Sequence, residues 1–347
     1  MTGTGDTGET RIRTTGIFLA AASLALACAV PASANDSSVE MAVGGVTFTQ
    51  SPDVSMEEEV LTITPDTVTV LYRFLNQATL PVTLTVGFPL PDIDLADQDV
   101  LYAIPGSDPV NFVDFKTKID AKPIKFDVVQ RARLGGKDVT AAIRAAGLPI
   151  ALIGADTQQH ITALTPEARA SLIEGGLLIP VGSDEKGDQL YGPAWRVTTT
   201  FTRKQVFPPG QAVSVEHRYK TSLGASLDTV LRKGLRNSDG MGATVERYRK
   251  DYCLPDDFFK GLDKLAGSDP ANTAKVQERR ISYVLKTGAN WAGPIKNFRL
   301  VVDKGKPDRL VSFCFDNVKK ISPTAFEARL ENFTPTQDLK ILLIGKY

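Results

Sequence analysis

The chain has 347 residues, with 40 basic and 40 acidic side chains and only two histidines, so its formal net charge is zero. A neutral chain has no overall field to draw it to nucleic acid or to an acidic lipid surface. An apolar content of 42% is ordinary for a globular protein, and no disordered tail stands out.

The first element is the N-terminal segment. Arg11 and Arg13 precede an apolar run over residues 17–30, and the small-residue triplet Ala32-Ser33-Ala34 follows Pro31. That order reads as a secretory leader cleaved after Ala34, which places a mature chain starting at Asn35 in the periplasm or outside the cell. The run is shorter than the roughly 20 residues of a spanning helix, so no transmembrane anchor is expected in the mature form. The alternative is a lipoprotein attached through Cys28, although the position three residues before it is Ala25 rather than the usual Leu. Loss of the leader removes Cys28 and leaves Cys253 and Cys314. In an oxidising compartment these make one obvious disulfide; the alternative is two separately buried thiols.

Strands come next. Val68, Val70, Tyr72 and Phe74 alternate with more polar neighbours, and Val82, Leu84, Val86 and Phe88 do the same beyond residues 76–81. Period-two patterning of this kind predicts two half-buried strands joined as a hairpin, with Pro89 and Pro91 ending the second. Runs at 45–49 and 60–64 extend the sheet, and 119–133 is a further strand pair. A helical block follows over about 138–176. Asp138 is the expected cap of a helix over 139–146, and Thr165 with Pro166 begins another that stops at Gly175-Gly176. Strands resume at Trp195, and the alternating runs 195–202 and 213–220 predict a second hairpin across Phe207-Pro208-Pro209-Gly210. Residues 224–275 read as helical, with helices at 227–235 and 256–265. Five short strands close the chain, at 281–286, 298–302, 310–315, 326–330 and 339–344. The expectation is a mainly β (α+β) fold with two antiparallel β-sandwich-like domains and helical insertions. Residues 35–223 would form the first domain and 224–347 the second.

Chemistry is sparse. There is no zinc-ligand motif, nucleophile elbow or glycine-rich phosphate loop, and no cofactor is implied. His217 sits in the apolar register of a strand, where a half-buried structural histidine is the default, and His160 has no recognisable partner. Asp92, Asp94, Asp97 and Asp99 could hold a hard cation, but loop acidity explains them equally well. Trp291, in a Gly/Pro-rich loop beside Asn290, and Trp195 are candidate ligand or partner contacts, and Arg203 joins them. The default for both tryptophans is a ring folded down on a core. Any partner would be an envelope protein or a small ligand.

Three landmarks are Asn35-Asp36-Ser37-Ser38, the block from Tyr72-Arg73-Phe74 to Phe88-Pro89-Leu90-Pro91-Asp92, and Phe201-Thr202-Arg203-Lys204-Gln205-Val206-Phe207-Pro208. Two more are Tyr283-Val284-Leu285-Lys286-Thr287-Gly288-Ala289-Asn290-Trp291-Ala292-Gly293-Pro294-Ile295 and Val318-Lys319-Lys320-Ile321-Ser322-Pro323-Thr324. Together they resemble the exported bacterial proteins of domain-of-unknown-function family 4424 over nearly the whole mature chain. That resemblance implies no catalytic residues. A shorter motif over about 60–92 is similar to the vault/inter-alpha-trypsin type of β-sandwich and bears on fold alone. The functional expectation is a non-enzymatic periplasmic binding or scaffold protein. The alternatives are an envelope glycan or peptide hydrolase using carboxylates such as Asp92 or Asp94, and a small-ligand sensor.

Overall fold

The computed structural model describes residues 35–346 apart from 43–44, 98–100, 104–105, 107, 222 and 268–275, so the expected leader, Cys28 and Asp99 lie outside the described residues. The principal strands are β1 (Ser37–Ala42), β2 (Val54–Ile63), β3 (Thr67–Asn76), β4 (Val82–Pro89), β5 (Asp127–Leu134), β6 (Arg196–Phe207), β7 (Ala212–Lys220), β8 (Val276–Tyr283), β9 (Ile295–Asp303), β10 (Ala325–Phe333) and β11 (Leu339–Lys346). The helices that matter here are α1 (Thr140–Ala145), α2 (Thr157–Thr162), α3 (Pro166–Glu174), α4 (Gly242–Tyr252) and α5 (Asp256–Ala266).

The fold is mainly β. One antiparallel sheet has the order Lys137–Asp138, β5, β6, β4, β1, Gly45–Thr49. A second has the order Lys319–Lys320, β10, β9, β2, β3, β7, Lys116–Ile119, Lys122–Pro123, in which β2 and β9 pair in parallel. The period-two pattern decides which faces meet. Val68, Val70, Tyr72 and Phe74 of β3 and Val213, Val215, His217 and Tyr219 of β7 are buried. They pack against Val86, Phe88, Phe201 and Phe207 of the first sheet. Phe88 lies 4.9 Å from His217 between ring centroids, and Phe74 lies 5.8 Å from Phe207.

Neither expected hairpin forms. β3 pairs with β2 and β7, whereas β4 pairs with β1 and β6, so the chain crosses from one sheet to the other at residues 77–81. It crosses back between β6 and β7 at residues 208–211. Asn76 holds both crossings. Its Nδ2 donates to Phe207 O at 2.8 Å and to Leu80 O at 2.9 Å, its Oδ1 accepts from Ala78 N, and its backbone carbonyl accepts from Gly210 N. One buried residue therefore satisfies backbone groups at both crossings.

A third sheet has the order Leu310–Phe313, β11, β8, Leu223–Ser226, Leu101–Ala103. Tyr248 and Tyr252 of α4 and Phe258, Phe259 and Leu262 of α5 cover it, against Val276, Leu342 and Ile344. Cys253 follows α4 and is bonded to Cys314. The helix expected at 227–235 is reduced to Lys233–Arg236. Asp228 and Thr229 accept bonds from the nearby backbone, and Thr229 Oγ1 donates to the buried Glu278. Those local bonds compete with helical ones. The helical block near 138–176 contains α1, α2 and α3, with Thr165 Oγ1 accepting from Ala168 N and Pro166 opening α3. At α1, Val139 rather than Asp138 is the cap.

The division expected at residue 223 is not how the strands pair. β9 lies beside β2, and Leu223–Ser226 bridges Leu101–Ala103 to β8. The described residues belong to one compact unit. Among the described residues, no helix is long and apolar enough to cross a membrane.

Asn76→Ala should lower unfolding free energy by about 2–4 kcal/mol, because it strips donors from two carbonyls at a buried site; urea denaturation measures this. Cys314→Ser, which opens a cystine spanning 61 positions, should cost about 2–4 kcal/mol, and reductant should then leave the variant's midpoint unchanged while lowering that of the parent.

Candidate functional site

Residues 35–37 run into the space between the two facing sheets. Asn35, Asp36 and Ser37 have no solvent exposure, and β1 then continues as a strand beside β4. Two glycines admit this approach. A Cβ on Gly87 would stand 2.7 Å from Val39 Cγ1, and one on Gly288 would stand 2.6 Å from Asn35 Nδ2.

The segment after β8 forms the socket. Thr287 Oγ1 accepts from Asn35 N at 2.6 Å and donates to Asn35 O at 2.8 Å. Asn290 Nδ2 donates to Ser37 Oγ at 2.9 Å, and Trp291 Nε1 donates to Asp36 O at 2.7 Å. The Asn35 side chain donates from Nδ2 to Glu59 Oε2 at 3.0 Å and accepts from Tyr72 Oη, which lies 3.3 Å from Tyr283 Oη. Asp36 receives Arg203 Nη2 at 2.7 Å on Oδ2 and meets His217 Nε2 at 2.9 Å on Oδ1.

Electrostatics follow from burial. Burial alone would raise the Asp36 carboxyl, but the charge of Arg203 and the contact with His217 outweigh it and hold it at about 2. Burial keeps His217 below its ordinary value against the pull of Asp36. The imidazole is therefore neutral at pH 7, and Nε2 carries the hydrogen donated to Asp36. Burial pushes Glu59 up to about 8, against its hydrogen bond from Asn35 and with the Asp36 charge adding to the rise. Glu59 Oε1, Arg203 Nε and His217 Nδ1 have no hydrogen-bond partner.

Three of the residues singled out in the sequence meet here: Arg203, Asn290 and Trp291 all bind residues 35–37. Trp291 is 4% exposed, so its indole is spent on the core. Trp195 is elsewhere, fully buried, with Nε1 donating to Ile150 O at 2.8 Å and pinning the helical block to the first sheet. Cys253 and Cys314 lie beside a cleft of about 490 Å³ lined by Leu285, Phe313, Phe315 and Phe333. Sequence reasoning gave neither Asp36 nor Glu59 a role: Asp36 stood only within a family landmark, and the run Glu57-Glu58-Glu59 reads as a solvated turn or strand edge, whereas Glu59 is fully buried. Asp94 pairs with Arg196 at 3.0 Å. Among the described residues, no group of three or more His, Cys, Asp or Glu could hold a metal ion.

A second cleft, of about 600 Å³, lies beside the helical block. Pro109, Phe112, Pro149, Ala151, Leu152 and Ile153 give it apolar walls, and Asp108, Asp156 and His160 give it polar groups. His160 Nε2 lies 3.3 Å from Asp156 Oδ2.

A family model described as Domain of unknown function (DUF4424) matches residues 34–342. No curated protein matches the chain. Among solved structures, a candidate nutrient binding protein from Legionella pneumophila is 15% identical, covers 90% of this chain and 70% of its own, and has a TM-score of 0.43. An M1 zinc metallopeptidase from Deinococcus radiodurans is 10% identical, with 86% of this chain and 44% of the peptidase covered and a TM-score of 0.21. The chain thus spans less than half the peptidase's length. Neither likeness carries an argument about fold or function.

Asp36→Asn should cost about 3–5 kcal/mol by leaving Arg203 buried without its counter-charge. The pH dependence has a definite sign. A carboxyl lowered from 3.8 to about 2 on folding contributes stability above the higher value and loses it as pH falls through the lower one. Thermal melts between pH 4 and pH 2 should show that loss in the parent, and Asp36→Asn should lack that component.

Proposed function

This chain belongs to that family, and we propose that it is an exported envelope protein that works by binding a small organic ligand rather than by turning one over. The observation that carries this reading is a division of chemistry between core and surface. The carboxylates, histidine and arginine that could do acid–base work, Asp36, Glu59, His217 and Arg203, have almost no contact with solvent. The cleft beside the helical block instead has apolar walls, and the His160–Asp156 pair in it has no serine, threonine or cysteine among the lining residues to activate. Pockets of a few hundred Å³ with apolar walls and a few polar groups are the usual form of a small-ligand site. Export is supported by the basic, apolar and Ala-x-Ala order of residues 11–34, by the cystine, and by a family match that begins at residue 34.

The cleft also indicates a ligand class. Asp108 and Asp156 bring two carboxylates, and no lysine or arginine is among the lining residues. An amine-bearing molecule with an apolar body complements that set.

Calorimetric titration with L-arginine, L-lysine and spermidine, with L-glutamate as the anionic control, tests the reading. At least one amine should bind, the anion should not, and the Asp108→Asn/Asp156→Asn double variant should weaken binding about tenfold or more with an unchanged melting temperature. Turnover of an envelope peptide or glycan by the purified protein, or equal heats for amines and glutamate, overturns it.

A further inference from the structure

Glu59 is a buried acid with half of its carboxyl unused. It has no solvent exposure, its Oε2 accepts from Asn35 Nδ2 at 3.0 Å, and its Oε1 has no hydrogen-bond partner. A carboxyl in that state is costly unless a donor or a positive charge meets it. The backbone nitrogen of Asn35 lies one side chain away, donating to Thr287 Oγ1 at 2.6 Å. That nitrogen is also the atom that leader removal after Ala34 would convert from an amide into an amine.

We propose that the pocket formed by Glu59, Thr287 and Gly288 is the docking site for the chain's own α-ammonium group, released by cleavage between Ala34 and Asn35, with Glu59 as its counter-charge. The inference rests on the export reading above. An export-coupled peptidase supplies the cleavage and water is the co-reactant. Water's hydroxyl joins the Ala34 carbonyl carbon, the carbon–nitrogen bond breaks, and Asn35 N keeps the electron pair and takes up protons to become an ammonium. An amide there has one N–H, already given to Thr287; an ammonium has three, and the acceptor assigned to it is the unpartnered oxygen of Glu59, whose other oxygen already binds the Asn35 side chain.

Charge balance selects the same residue. The ionisable groups around Asn35 are Asp36, Arg203, His217, Glu59, Tyr72 and Tyr283. Asp36 and Arg203 already neutralise each other, His217 is neutral, and burial holds both tyrosines protonated. Glu59 is raised to about 8 while the neighbouring nitrogen is an uncharged amide. A positive charge placed there would ionise it and make the site neutral overall. Before cleavage the sign of the linkage is unfavourable. The folded chain keeps Glu59 protonated while the unfolded chain ionises it from 4.5 upward, so stability falls from about pH 4.5 to about pH 8. Cleavage removes that loss. Leader removal is thereby a folding step that locks residues 35–37 between the sheets.

The test compares two oxidised forms of the full mature chain. One is purified after export, with its start at Asn35 checked by intact mass. The other is made with Ala34 retained, so that Asn35 N stays an amide. At pH 7.5, Glu59→Gln should lower the melting temperature of the Asn35 form by about 3–6 °C and leave the Ala34 form unchanged or more stable. Between pH 5 and pH 8 the Ala34 form should lose stability, and Glu59→Gln should flatten that slope. Reductive methylation gives a readout without substitution: the α-amine of the folded Asn35 form should be protected relative to the urea-unfolded chain. Equal effects of Glu59→Gln in both forms, or an α-amine methylated as fast folded as unfolded, overturns the inference and leaves export standing. An exported chain that starts elsewhere, such as at a lipidated Cys28, likewise overturns the inference and leaves export standing, whereas a chain that is not exported overturns both.

Discussion

The structure is organised around one carboxylate that water cannot reach. Asp36 lies between two sheets, and a buried charge of this kind is tolerated only when its partners and hydrogen bonds are complete. The partners come from different layers. Arg203 belongs to β6 of the first sheet, His217 belongs to β7 of the second, and Trp291, from the segment after β8, holds the Asp36 carbonyl. The segment 35–37 therefore ties three separate parts of the chain, and its position depends on all of them. Asn35 extends the same device through Thr287, Glu59 and Tyr72.

Around that polar seam the packing is ordinary. Apolar faces of β3 and β7 meet those of β4 and β6, with edge-on aromatic contacts such as Phe74 against Phe207 at 5.8 Å. Asn76 closes the same end of two crossings between the sheets. The third sheet carries its own apolar cluster under α4 and α5, and the cystine fixes the end of α4 to the strand region at Cys314. Polar chemistry at the seam thus does structural work, while open clefts lie elsewhere, beside the helical block and beside the cystine.

Much of the strand content was legible because burial on one face imposes a period of two, as β3 and β7 show residue by residue. Strand pairing was less legible. The alternation in 67–74 and 82–88 is equally compatible with two strands side by side and with two strands facing each other across a core. Asn76, whose amide reaches both crossings, selects the second, and nothing in its local sequence announces that role. The candidate site divides in the same way. Asn290, Trp291 and Arg203 drew attention as unusual residues in a distinctive context, but their common target, Asn35-Asp36-Ser37, lies more than 160 positions away.

By itself the sequence determined the mainly β character, the cysteine pair and the family, because each rests on local pattern or residue count. Tertiary structure alone decided that the presumed hairpins are crossings and that the supposed domain boundary is spanned by shared sheets. It also decided that the acids Asp36 and Glu59 have no solvent exposure. Those outcomes depend on which distant side chains can satisfy a buried carboxylate or carbonyl, and that is a property of three-dimensional proximity, not of spacing along the chain.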